Sequence, residues 1–146
     1  MERVEAVRRD VLQNAVRRDD LREQVAQMRE RMRKELSASK AGQFDLKQDA
    51  GGITDIEFLA QYWTLLWSER HAELVTYSDN IRQLESLASA DLVQQVTVDV
   101  LTGAYRSYRQ RLHHLSLEAE KSIVPATEFT AERSAVTAIW DAAFGT

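Results

Sequence analysis

The chain has 146 residues and contains no cysteine, one proline, five glycines and three histidines. The missing cysteines exclude disulfides and thiolate metal sites, and they are compatible with a reducing compartment. His71, His113 and His114 are the only imidazoles, too few to suggest a zinc site. So little proline and glycine argues against disorder and against a turn-rich β-protein. Long apolar runs are lacking as well: none approaches the roughly 20 residues that span a bilayer. Arg3, Arg8, Arg9, Arg17 and Arg18 fall within the first twenty residues without the apolar segment of a signal peptide. The expectation is a cytoplasmic protein with no membrane partner.

What remains is ordinary for a globular domain, with 44% hydrophobic and 29% charged residues. The length fits one domain able to bury a core. The net charge of −4 conceals an asymmetry. Residues 1–40 hold 11 basic against 8 acidic side chains, whereas residues 41–146 hold 8 against 15. A free-standing nucleic-acid binder would be more basic. The N-terminal charges read instead as a solvated helix face laced with i,i+4 pairs, and no nucleic-acid partner is expected.

Helical periodicity dominates the chain. Val4, Val7, Val11, Leu12 and Val16 form one stripe, and Leu21, Val25, Met28, Met32 and Leu36 form another. Asn14 and Asp19-Asp20 suggest a break near residues 14–20. The stretch Ser37–Gly42 ends this N-terminal helical region, residues 1–40. Phe44–Lys47 reads as a short extended segment, pairing with a strand outside the chain. Thr54 is expected to start the next helix through a capping box with Glu57, with Ile53 stapled onto Phe58. Ile56, Leu59, Tyr62, Trp63, Leu66 and Trp67 make that helix apolar around much of its girth, so the tryptophans read as core.

Ser78 caps a further helix carrying Ile81, Leu84 and Leu87. A long helix over roughly 92–118 carries Val93, Val96, Val100, Leu101, Ala104, Tyr108, Leu112 and Leu115, with Gly103 marking close helix packing. His113 and His114 point about 100° apart on it, one inward and one outward, and so do not form one ligand site. Pro125 lies in a connection, and Thr130 caps a last helix with Val136, Ile139, Trp140 and Phe144 inward. The fold class is all-α: one helical domain over 1–146, a bundle of five or six helices with a short extended segment near residues 44–47.

No nucleophile elbow, P-loop or HExxH motif is present. The stretch FDLKQDAGGITDIEF (44–58) is the unusual one. Its Gly51-Gly52 pair opens a helix start, where backbone amides can cradle a phosphate, and Lys47 nearby adds a point charge. Asp55 and Glu57 complement the positive end of the helix, or pair with Lys47. On these residues alone, a plain helix start and a phosphate site both stand.

The segment FDLKQDAGGITDIEFLAQYW (44–63) resembles the one that follows the catalytic core in glutamine synthetase adenylyltransferases. MRERMRKEL (28–36), YSDNIRQLE (77–85), AYRSYRQRLHHLSL (104–117) and FTAERSAVTAIW (129–140) resemble the same family in the same order. A looser form of the Lys-x-x-x-Gly-Gly pattern occurs in the uridylyltransferases of the PII signalling protein. The resemblance implies the C-terminal helical domain of the adenylyltransferase half of a bifunctional enzyme. That enzyme adds AMP from ATP, with Mg²⁺, to a tyrosine of glutamine synthetase, and removes it. The family's Gly-Ser loop and paired-aspartate motif are absent from this sequence, so the fragment is expected to be inactive alone and to pack against a missing nucleotidyltransferase core. Under this resemblance Lys47 contacts the ATP phosphates, Gly51 and Gly52 permit close backbone approach, and Asp55 and Glu57 support the loop. An interaction module for glutamine synthetase or the PII protein is the alternative.

Overall fold

The computed structural model describes residues 20–68, 79–117 and 122–145. The stripe expected over Val4–Val16, the break near 14–19 and the cap at Ser78 lie outside those residues. Five helices and one two-stranded ribbon make up the described part, an all-α bundle. Helix α1 covers residues 20–36, followed by β1 (Gln43–Asp45), α2 (Ile53–Trp67), α3 (Asn80–Ser89), α4 (Gln95–Leu117), β2 (Ile123–Pro125) and α5 (Thr130–Phe144).

Helix α2 is the hub, packing against α3, α4 and α5. Ile53, Ile56, Leu59, Ala60, Tyr62 and Trp63 are all buried, as its girdle of apolar residues predicts. Thr64 is buried with them, and its hydroxyl donates to the Ala60 carbonyl at 2.7 Å, so no polar group is stranded there. The other helices add Leu84 and Leu87 from α3, Val98, Leu101, Tyr108 and Leu115 from α4, and Val136, Trp140 and Phe144 from α5. Tyr62, Phe144 and Trp140 form a ring cluster, with centroids 4.7 and 4.2 Å apart. Offset aromatic pairs of this kind add about 0.5–1.5 kcal/mol each beyond area burial.

The extended segment finds its partner within the chain rather than outside it. β1 pairs antiparallel with β2, in the register Gln43↔Pro125, Phe44↔Val124 and Asp45↔Ile123. Pro125 therefore belongs to a strand, at the end of a ribbon where its missing N–H removes nothing essential. Bonds from Leu46 N to Ser122 O (2.8 Å) and Ala126 N to Gly42 O (2.9 Å) extend the pairing at both ends. The ribbon is stable because Phe44 is fully buried beneath it, against Tyr108 and under the Arg133 guanidinium, 4.0 Å above its ring.

Several helix starts differ from expectation. Asp79 caps α3 by accepting from the amides of Ile81 and Arg82. α5 begins at Thr130 with Phe129 as its N-cap, in the left-handed region and without a side-chain cap. α4 starts at Gln95, and its inward stripe includes Val98, while Val96 and Val100 are exposed. Both His113 and His114 are exposed, so neither packs inward. α1 shows the same rotation: Met28 and Leu36 face solvent, and Arg29 takes the inward position. Its outer face carries the expected pairs, Gln24–Asp20, Gln27–Glu23 and Lys34–Glu30.

Among the described residues Gly103 does not mark close packing, since a Cβ added there would meet none of them within 4 Å. It lies mid-helix and exposed, where glycine is about 0.8–1.0 kcal/mol less favourable than alanine. Gly103→Ala should therefore raise stability by roughly 1 kcal/mol, seen as a higher denaturant midpoint with unchanged slope.

Candidate functional site: the lysine loop

The loop between β1 and α2 is ordered by three aspartates. The Asp45 carboxylate accepts from the backbone amides of Lys47 (3.0 Å) and Gln48 (3.2 Å), from Ser122 Oγ (2.8 Å) and from the Ala38 amide (3.2 Å). It thereby folds the chain back immediately after β1 and ties the loop to β2. The Asp49 carboxylate accepts from Ser37 Oγ (2.6 Å), Ser39 Oγ (2.7 Å) and the Asp45 amide (2.8 Å). Burial pushes the Asp49 pKa up, but these donors and the charge of Arg133 outweigh it and hold the carboxyl below its ordinary value.

Asp55 is the third, and it is almost wholly buried. Its Oδ1 accepts from Arg29 Nε at 2.6 Å, with Arg33 Nη2 at 3.7 Å, and its Oδ2 accepts from the Gly51 amide at 2.7 Å. Arg29 is itself fully buried and also donates through Nη2 to the Gln48 carbonyl. The expected pairing of Asp55 with Lys47 is therefore not formed, because Arg29 arrives from α1 and takes the carboxylate. Glu57 does not pair with Lys47 either; it accepts from Asn80 Nδ2 at 3.3 Å, linking α2 to α3.

The capping box at Thr54 and Glu57 is also absent. α2 begins at Ile53 with extended Gly52 as its N-cap and no side-chain cap. The first amides are satisfied by the loop: Gly52 N to Asp49 O (3.0 Å), Ile53 N to Leu46 O (2.8 Å) and Thr54 N to Lys47 O (3.1 Å). Backbone carbonyls replace the hydroxyl cap because the loop curls directly over the helix end. Asp55 still stands in the first turn, where its charge complements the helix dipole.

The two glycines are required by sterics. Gly51 has φ +82°, and a Cβ on it would lie 2.6 Å from the Arg133 carbonyl oxygen of α5. A Cβ on Gly52 would lie 2.5 Å from the Leu46 carbonyl oxygen. The close backbone approach expected at this pair is thus made to α5 and to the loop itself, and the Gly51 and Gly52 amides are already donated within the loop.

Lys47 stands apart from this network. Its side chain is exposed, and among the described residues it makes no ion pair. Its backbone is held at both ends, the amide by Asp45 and the carbonyl by Thr54. The result is an exposed ammonium on a fixed base, suited to a phosphate oxygen as a point charge. The donor set does not fit Mg²⁺: Asp45, Asp49 and Asp55 are committed to N–H, O–H and guanidinium donors. Among the described residues no three acidic or histidine side chains converge on a metal position.

Sequence reasoning placed Lys47, Gly51, Gly52, Asp55 and Glu57 in this region, but missed Arg29, Asp45 and Asp49. A signal for Arg29 was present: a charge four residues after Val25 and three before Met32 lies inside the apolar stripe.

A family model described as GlnD PII-uridylyltransferase matches residues 19–123, a span that includes the whole lysine loop. The bifunctional glutamine synthetase adenylyltransferase/adenylyl-removing enzyme of Thioalkalivibrio sulfidiphilus is 41% identical over 92% of this chain. Its counterparts in Nitrosococcus oceani and Pseudomonas syringae pv. tomato are each 42% identical, over 94% and 95% of the chain. The chain spans only 14–15% of the length of these relatives.

Proposed function

The chain belongs to the GlnD PII-uridylyltransferase family and is a glutamine synthetase adenylyltransferase-related domain, and from that premise we propose that it forms one wall of an ATP cleft. The catalytic carboxylates would lie in a nucleotidyltransferase core elsewhere in the parent chain. In the parent reaction a tyrosine hydroxyl of glutamine synthetase attacks the α-phosphorus of ATP, the bond to the β-phosphate bridging oxygen breaks, and pyrophosphate leaves. Lys47 contacts the triphosphate and offsets the charge that builds on that leaving group. Gly51 and Gly52 serve the site by letting the loop close tightly, and Asp55 and Glu57 hold it to the neighbouring helices. No step is assigned to Mg²⁺ on this chain. The fragment alone is inactive under this reading.

The observation that carries the proposal is the exposed Lys47 ammonium, without an ion pair among the described residues, on a backbone pinned by Asp45 and Thr54. In the full-length enzyme Lys47→Ala should raise KM for ATP or lower kcat by roughly 10- to 100-fold, the range for a lost charge-assisted contact. Its thermal stability should be unchanged, because an exposed side chain without such a pair contributes little to folding. Wild-type ATP kinetics in this variant would sink the contact.

A second reading, a docking module for glutamine synthetase or the PII protein, is favoured by a different face. Arg106, Arg109, Gln110, His113 and His114 are all exposed at helical spacing on α4. The two guanidiniums, with hydrogen-bonding side chains beside them, suit an acidic protein surface.

A further inference from the structure

We infer that Arg29 is a positioning residue for Lys47, transmitting the placement of helix α1 to the phosphate-facing ammonium; the inference rests on the reading of Lys47 given above. One guanidinium spans the loop. Its Nε holds Asp55 at 2.6 Å, its Nη2 holds the Gln48 carbonyl, and Asp55 in turn holds the Gly51 amide at 2.7 Å. Gln48 is the residue directly after Lys47, so the clamp closes on the 48–49 peptide, one residue beyond the functional side chain. Asp45 secures the same turn from the other side, through the amides of Lys47 and Gln48.

Stability alone does not account for such a group. A fully buried ion pair is often no better than well-packed apolar residues of similar volume. This one is also imperfect, since among the described residues the buried Arg29 Nη1 has no hydrogen-bond partner. What an apolar replacement cannot supply is a planar fork that reaches residues 48 and 55 together. A lysine cannot supply it either, being a single point of charge. Arg29 is thus a geometric link between α1 and the lysine turn.

The test is a double-mutant cycle in the full-length enzyme, read as kcat/KM for ATP per active site, with active sites counted by titration so that the folded fraction does not enter. Lys47→Ala, Arg29→Lys and the pair are compared. Misplacement of about 1 Å can lower rates by up to 100-fold, so Arg29→Lys is expected to lower kcat/KM for ATP by roughly tenfold. In the Lys47→Ala background the same change should shift kcat/KM by less than about twofold, because the group being positioned is gone. Equal effects of Arg29→Lys in both backgrounds would overturn the positioning role while leaving Lys47 in place. No effect of Lys47→Ala would overturn the reading of Lys47 and the inference with it. If Arg29→Lys fails to accumulate, Asp55→Asn loosens the same clamp from its other end and gives the same comparison.

Discussion

Asp55→Ala should destabilise the domain by about 3–5 kcal/mol, the loss typical when one partner of a buried ion pair is removed. The reason lies in what stays behind. Arg29 is fully buried and would keep its charge, with the Gln48 carbonyl as its one remaining hydrogen-bond acceptor among the described residues. Arg33 would lose its 3.7 Å approach to the same carboxylate, and the Gly51 amide would lose its acceptor. Three connections fail at one position, and all lie where α1 meets the start of α2. Denaturant unfolding of the variant and wild type measures the loss. The mechanism predicts a specific recovery: Arg29→Met added to Asp55→Ala should restore part of the stability, because the orphaned charge is then removed as well. A double variant as unstable as the sum of the singles would mean that the pair does not act as a unit.

Gly51→Ala is expected to cost about 2–5 kcal/mol, combining roughly 1–2 kcal/mol for a left-handed backbone with about 1–3 for overpacking. Its φ of +82° and the 2.6 Å approach of a Cβ to the Arg133 carbonyl act together. The colliding atom is helix backbone, so no side-chain rotation relieves it. α5 would have to move away from the loop, which would disturb the Arg133 guanidinium over Phe44 and its bond to the Ala126 carbonyl at 3.0 Å. The comparison with Gly103→Ala isolates the cause. The same chemical change should stabilise an open helix position and destabilise a closed left-handed one, with opposite shifts in denaturant midpoint.

The helical class and the hub role of α2 were legible in the sequence because apolar residues recur around the whole of that helix. The α5 stripe of Val136, Ile139, Trp140 and Phe144 was legible for the same reason. Helix faces were less so: Met28, Leu36, Val96 and Val100 fit an apolar stripe by spacing, yet they lie exposed. Periodicity alone cannot fix rotation by one residue when a neighbour such as Arg29 has a buried partner far along the chain. Asp55 and Arg29 are 26 residues apart, and the strand partner of β1 lies beyond α4. Local rules predicted a hydroxyl cap at Thr54, but the loop's own carbonyls fill that place. Burying Tyr108 between Phe44 and Phe129 is another long-range outcome. Burial pushes its phenol pKa up, with Glu132 adding to the effect, Arg133 opposing it and Asp55 reinforcing it.

The candidate site was readable to the same degree. The glycine pair and Lys47 stood out by composition, while the aspartates that shape the turn looked like ordinary loop residues. Their roles depend on Ser37, Ser39 and Ser122 arriving from outside the segment.

The most direct measurement is a crystal structure of the full-length enzyme with a non-hydrolysable ATP analogue. The proposed function predicts Lys47 Nζ within roughly 2.7–3.2 Å of a phosphate oxygen, the range of a charge-assisted hydrogen bond. It also predicts that the Asp45 and Asp55 contacts of the loop are unchanged. A nucleotide bound with Lys47 facing away from its phosphates would contradict the assignment of this loop to the cleft wall.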